Sequence, residues 1–174
     1  AKHETPRASN AKHETPRASN AKHETPQTLN AKQQTPETLK SIMLDYEPKI
    51  LLAFAETLSG NQEIFNWLMQ NGYPELGALS MSMRGSEEAF GWLLKNGYPH
   101  FAALDRAIDG DPKAYAWLQK NDFQLLAILA EACNSRPEAI DYLNRNNLPI
   151  FLLIARKFIA YRDSQTFDYH KKRF

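Results

Sequence analysis

Apolar residues recur with a period of 25 along residues 61 to 160. The clearest markers are aromatic residues followed by leucine, at Trp67-Leu68, Trp92-Leu93, Trp117-Leu118 and Tyr142-Leu143. Further apolar residues stand two and three positions before each aromatic. Because side chains three and four positions apart share one face of a helix, this pattern predicts a first helix in every unit.

A second apolar ladder follows each marker with the helical spacing i, i+3, i+7. Its first copy is Leu76, Leu79 and Met83. Extended backwards, the frame finds weaker ladders at Leu39, Ile42, Met43 and at Leu51, Phe54, Leu58. Helices of about ten residues are stable only against neighbours. We therefore predict an all-α fold, a short right-handed solenoid of about five 25-residue helical hairpins.

The phrase Asn-Gly-Tyr-Pro at residues 71–74 and 96–99 is explained by this architecture. Glycine, asparagine and aspartate tolerate the left-handed backbone that ends a helix, and proline suits the first turn of the next one. We expect the far end of each second helix at Gly60, Gly85, Gly110 or Ser135. Asn61, Ser86 and Asp111 are expected to cap the following helices. Arg136 breaks this pattern, so we predict that its unit starts one residue earlier, at Ser135.

The first forty residues are four decapeptides, each with a Thr-Pro pair. Regular proline and few apolar side chains predict a flexible arm over residues 1–35. The copies are interpreted either as a tolerated tandem duplication or as a multivalent string of Thr-Pro motifs. A helical-repeat domain is predicted over residues 36–160. Residues 161–174 are predicted to form a C-terminal cap and basic tail that folds back through Tyr161, Phe167 and Tyr169.

The segments GDPKAYAWLQKND and HFAALDRAI resemble the outer and inner helices of ankyrin repeats. The β-hairpin finger and the TPLH start of that family are missing here, consistent with the shorter unit. The chain is also similar to short bacterial helical-repeat proteins with the phrase W-L-x-x-N-G-Y. The resemblance implies a binding scaffold whose second helices line a concave side, and it implies no site residues.

The net charge and the composition of the chain reduce the number of functions that the sequence supports. The net charge is +1, with +3 on residues 1–40 and −2 on the rest, which argues against nucleic acid as the main partner. The single cysteine, the lack of a long apolar run and the lack of a secretory signal predict a cytoplasmic protein without a membrane span.

No set of residues in the sequence predicts catalysis. Cys133, the single thiol, falls in an apolar column and is predicted to be buried. The spacing of zinc ligands and the glycine-rich phosphate loop are missing, so we predict neither metal nor cofactor. Histidines 3, 13 and 23 of the arm are interpreted as solvated, with weak metal binding as the alternative. We expect that the protein is not an enzyme.

The aromatic column has two interpretations. Trp67, Trp92, Trp117 and Tyr142 are predicted to be structural core residues between stacked hairpins. The alternative is a cage for a ligand.

The favoured functional hypothesis is a protein-binding scaffold with an unidentified protein partner. Its surface is predicted on the second helices, at positions that change between units. The predicted partner-binding residues are Met81, Arg84, His100, Arg106, Asp109, Glu131, Asn134 and Arg156. The alternative is binding of nucleic acid or another anionic partner by the arm and by the basic segment YHKKRF. For the chain itself we expect a monomer, or a weak homo-oligomer through the C-terminal helix.

Overall fold

The structure, a computed structural model, describes residues 43 to 171, with side chains up to residue 165. This part of the chain consists of nine α-helices and contains no strand. In chain order the helices are α1 (Pro48–Leu58), α2 (Gln62–Gln70), α3 (Pro74–Met83), α4 (Glu87–Lys95), α5 (Pro99–Ile108), α6 (Pro112–Lys120), α7 (Gln124–Cys133), α8 (Pro137–Arg145) and α9 (Pro149–Lys171). The predicted all-α fold is confirmed.

The helices fall into two layers. We call α1, α3, α5, α7 and α9 the inner helices, and α2, α4, α6 and α8 the outer helices. Each inner helix packs on the next one in this series, and α9 packs back on α1. The two ends of the repeat array are therefore in contact, and an ion pair from Lys157 Nζ to Glu56 Oε1 of 3.1 Å joins them.

Each outer helix packs on two inner helices, the one before it and the one after it. The core between the layers contains the leucines that follow the aromatic markers. Leu68, Leu93, Leu118 and Leu143 are all 0% exposed.

The predicted aromatic core column is wrong at its two ends, because Trp67 and Tyr142 are 41% and 45% exposed. Trp92 and Trp117 are partly buried and pack against the core. Each tryptophan instead stacks on the corner aromatic of its own hairpin, as Trp92 does on Tyr98 at 5.9 Å. A helix turns by about 100° per residue, so the aromatic and the leucine beside it point in different directions. The leucine points into the core, and the aromatic lies at the edge of the buried face.

The helix ends follow the predicted turn chemistry. Gly72 and Gly97 have φ of 88° and 86°, and Asp122 and Asn147 take the same left-handed region in later units. The asparagine before each of them strengthens the end, since its side-chain nitrogen donates to the carbonyl of the marker aromatic. For Asn96 and Trp92 this distance is 2.8 Å.

The helix starts agree with the predicted caps in three units of the four. The side chains of Asn61, Ser86 and Asp111 accept bonds from backbone N–H groups. The predicted start at Ser135 is wrong, because Ser135 is the left-handed residue that ends α7 and Arg136 is the residue before α8. Arg136 makes no side-chain cap.

The last helix crosses the predicted boundary between residues 160 and 161 without a break. Beyond it, Tyr161 Oη donates to the carbonyl of Arg84 at 3.3 Å, and Arg162 donates to Asn134 Oδ1 at 3.0 Å. These contacts place the middle of α9 against the C-terminal ends of α3 and α7. The side chains of Phe167 and Tyr169 lie outside the described residues, so the predicted fold-back stays a prediction.

The arm (residues 1–35) and the histidines in it also lie outside the described residues, as do Leu39 and Ile42 of the first predicted ladder. Within the described segment, none of the helices combines the length and the apolar content that a bilayer crossing requires.

Candidate binding groove over the third helix

A shallow groove of about 230 Å³ runs along the outward side of α3, between α2 and α4. We call it the α3 groove. Its floor and walls are formed by Phe65, Met69, Pro74, Ala78, Met81, Ser86, Glu88, Ala89 and Trp92. Most of these side chains are apolar, and Glu88 is the charged residue among them.

Gly77 on α3 allows one wall to come close to the floor. A Cβ atom at this position would lie 2.7 Å from Met69 Sδ and 3.3 Å from a ring carbon of Phe65. The equivalent residues in the next two units are Ala102 and Ala127. The missing methyl group thus lets the side chains of α2 rest on the backbone of α3.

Two methionines leave apolar surface open to solvent in the groove. Met69 and Met81 are 44% and 38% exposed, whereas Met43 and Met83 are buried. Methionine is flexible and polarisable, which suits a surface that adapts to another side chain.

The equivalent position over α5 is closed by Arg106, the residue 25 positions after Met81. Its guanidinium lies 4.2 Å from the ring centre of Phe90, the equivalent of Phe65. It also donates to both carboxylate oxygens of Glu87, at 3.1 and 3.0 Å. The apolar wall that is open over α3 is covered over α5.

The position over α7 carries charges as well. Glu131, the next equivalent of Met81, is 3.8 Å from Arg136. Of the three outward faces that lie between two outer helices, the one over α3 therefore presents the apolar lining.

Polar residues also occur inside the inner layer, at positions that are apolar in other units. Glu75 and His100 share a column with Ile50, Leu125 and Ile150, and both are buried. Tyr46 donates to Glu75 Oε1 at 2.7 Å. Burial raises the pKa of Glu75, and this hydrogen bond opposes the rise.

His100 was predicted on the partner surface, and this prediction is wrong. The side chain is 1% exposed and packs between the rings of Phe101 and Phe123, at 4.3 and 5.2 Å. Neither ring nitrogen finds a hydrogen-bond partner among the described groups. Burial lowers the pKa of His100 to about 4, so the imidazole is neutral near pH 7.

A second buried polar contact joins α3 and α5. Ser82 Oγ donates to Asp105 Oδ2 at 2.7 Å. Burial raises the pKa of Asp105 to about 6, and the hydrogen bond from Ser82 opposes part of the rise.

Cys133 lies in the core, as predicted. Burial raises the pKa of its thiol to about 12, which disfavours the reactive thiolate.

The other predicted partner-binding residues lie on α3, α5, α7 and α9 or directly after these helices. Arg84 lies 5.2 Å from the ring centre of Tyr161, and Asn134 bonds to the carbonyl of Ile108. Asp109 is exposed and 4.0 Å from Arg106, and Arg156 is exposed on α9. Only Met81 lines the α3 groove.

The sequence interpretation missed Phe65, Met69 and Glu88 as groove residues. One signal could have found the groove, because Gly77 stands where the next two units have Ala102 and Ala127.

A larger concavity of about 390 Å³ lies along α8, lined by Glu138, Asp141, Tyr142, Arg145 and Asn146. Its charged lining is already paired in part, because Asp141 Oδ2 is 3.6 Å from Arg145. We therefore take the apolar α3 groove as the better candidate for binding.

Among the described residues, no group of three or more histidine, cysteine, aspartate or glutamate side chains is arranged to hold a metal ion. Comparison with protein-family models, curated proteins and solved structures finds no match for this chain. The resemblance to ankyrin repeats gains no support from these comparisons. The resemblance to ankyrin repeats implies an open concave side lined by the second helices. In this structure α9 instead packs back on α1.

Proposed function

We propose that this chain is a non-enzymatic scaffold that binds another protein at the α3 groove. The observation that carries the proposal is the contrast between Met81 and Arg106. The same position of the repeated frame leaves an apolar groove open over α3 and is covered by a paired arginine over α5. Contiguous apolar surface that is exposed on a folded protein is typical of a binding surface.

The size of the groove favours a protein partner over a small molecule. Sites for drug-sized ligands have volumes of roughly 300–1,000 Å³ and enclose most of the ligand. The α3 groove is smaller, at about 230 Å³, and open along its length. It fits side chains that project from a longer segment.

The proposal includes the finer architecture, a right-handed array of five 25-residue hairpins. The first hairpin would be formed by residues 36–58, which lie partly outside the described residues. One observation supports it, because Met43 is buried at the position equivalent to Leu68.

Affinity capture from an extract of the source cells tests the function. The full chain, the Met81→Arg variant and the Leu94→Arg variant would serve as baits. Leu94 is the matched control, because it is half-exposed at the position equivalent to Met69 but on the wall of the closed α5 face. We expect one or more proteins on the wild type and on Leu94→Arg that are lost on Met81→Arg. Retention on all three baits would contradict the proposal.

The alternative function uses the arm and the basic segment YHKKRF, whose side chains lie outside the described residues. It stays a prediction. Capture that persists on Met81→Arg but disappears when residues 1–30 or 172–174 are deleted would favour it.

A further inference from the structure

The surroundings of the α3 groove are acidic. Residues 61–95, which span α2, α3 and α4, contain four glutamates, one arginine and one lysine. That arginine, Arg84, lies against the ring of Tyr161 at 5.2 Å. The lysine, Lys95, is the last residue of α4 and is exposed.

The glutamates differ in their availability to a partner. Glu75 is buried and accepts the hydroxyl of Tyr46. Glu87 accepts two bonds from Arg106. Glu88 is exposed and lines the groove itself. A docked segment therefore meets apolar side chains in the groove and a carboxylate on its wall.

The charge of Glu88 also differs from that of the equivalent residue on the next wall. The residue 25 positions later, on α6, is Lys113. The acidic wall is thus a property of the α3 groove and not of the repeated frame. A basic side chain beside Glu88 would gain charge complementarity, which mainly supports specificity and the rate of association.

The apolar part of the groove resembles in its chemistry the grooves that receive amphipathic helices. Such grooves accept anchor side chains from one helix face, and methionines adapt to their shape. Met69 and Met81 provide that adaptable surface on two different helices.

We infer that the partner presents an amphipathic helix that places a large apolar side chain between Phe65, Met69 and Met81 and a lysine or arginine beside Glu88. This inference rests on the proposed function and specifies its partner. The occupant is a segment of another protein, and the tail of a second copy of this chain is an outcome that the test distinguishes.

The test selects binders from a displayed library of random 16-residue peptides against the full chain. We expect the selected peptides to combine an apolar residue with lysine or arginine within one helical turn. Met81→Arg and Glu88→Lys should each raise the Kd of these peptides at least tenfold. Leu94→Arg should change it less than twofold. Since Arg106 occupies the equivalent position of the native frame, Met81→Arg is expected to fold, and circular dichroism would verify this.

The outcomes separate this inference from the proposed function. The partner chemistry would be overturned if the peptides that lose affinity on Met81→Arg are acidic. It would also be overturned if Glu88→Lys leaves their Kd unchanged. Either result would leave the groove as a binding surface. Failure to select any peptide sensitive to Met81→Arg would overturn both. Competition by a synthetic peptide of residues 161–174 would assign the groove to a second copy of this chain and overturn the inferred occupant.

Discussion

The guanidinium of Arg106 covers the ring of Phe90 at 4.2 Å, while Met81, its equivalent one unit earlier, leaves the ring of Phe65 on the wall of an open groove. Met81 and Arg106 occupy the same position in consecutive repeat units, and so do Phe65 and Phe90. The arginine side chain explains why the face over α5 is covered, because a charged planar group can stack on an aromatic face and pair with a carboxylate at the same time.

Replacing Arg106 by methionine should therefore open a second groove. We expect Arg106→Met to increase the fluorescence of a bound apolar dye relative to wild type. The free energy of unfolding should fall by only about 1 kcal/mol, since the ion pair with Glu87 is at the surface. Dye binding equal to that of the wild type would show that Arg106 does not close this face.

The leucines of the outer helices, and not their aromatic neighbours, should dominate stability. Leu93→Ala is expected to cost about 2–5 kcal/mol, because the side chain is fully buried. Trp92→Ala should cost less than Leu93→Ala, as the indole is only partly buried and its main partner is Tyr98. Chemical denaturation of both variants, with the half-exposed Leu94→Ala as control, checks the order. A larger loss of stability for Trp92→Ala than for Leu93→Ala would support the aromatic core predicted from the sequence.

His100→Leu should stabilise the protein near pH 7 by roughly 1–3 kcal/mol, because it replaces buried ring nitrogens that lack partners. The variant should also change the pH dependence. In the folded protein the pKa of His100 is about 4, below the ordinary value of 6.5. The unfolded chain therefore binds the proton first, and wild-type stability is lost as pH falls from 6.5 towards 4, by at most about 1.4 kcal/mol per pH unit.

Urea denaturation of wild type, His100→Leu and His100→Gln across this pH range measures the effect. Both variants should lack the contribution of the histidine to the slope, and only the leucine variant should gain stability. Identical slopes in all three proteins would contradict the burial of His100.

Asp105 should give the free energy of unfolding the pH dependence opposite to that of His100, and Asp105→Asn should remove it. The pKa of Asp105 is raised from 3.8 to about 6, so its favourable contribution is present below pH 3.8 and is lost as pH rises through 6. Asparagine stays neutral and can still accept the hydrogen bond from Ser82. We expect Asp105→Asn to be more stable than wild type at pH 7.5 by on the order of 1–3 kcal/mol, and to differ little below pH 3.8.

The matched control is Asp109→Asn, because Asp109 is exposed and directly follows α5. Its stability should stay within about 0.5 kcal/mol of wild type at pH 7.5. Equal effects of the two changes would show that burial of Asp105 is not the cause.

The repeat and its turns could be predicted because both depend on local chemistry. A left-handed helix end requires glycine, asparagine or aspartate, as at Gly72 and Asp122. A first turn accepts proline, as at Pro99. Cys133 was placed correctly, since its column is apolar in every unit.

The orientation of the outer helices could not be predicted in the same way. Trp92 and Leu93 are adjacent and both apolar, and the period alone does not decide which of them faces the core. The contact between α9 and α1 was also beyond the sequence, because it depends on small rotations that add up from unit to unit.

The buried polar residues show a further limit. Variation between units predicts a surface position, and on this ground it predicts His100 at the partner surface. The column of His100 varies although it is buried, because neighbouring rings and Tyr46 provide local surroundings that differ between units.

The most direct test of the binding surface uses the four methionines of the chain. With ¹³C-labelled methionine methyl groups, addition of a groove-selected peptide should shift the resonances of Met69 and Met81, which line the groove. The resonances of Met43 and Met83, whose residues are 2% and 6% exposed, should stay in place. Binding that leaves the Met69 and Met81 resonances unchanged would contradict the assignment of the α3 groove as the site of partner recognition.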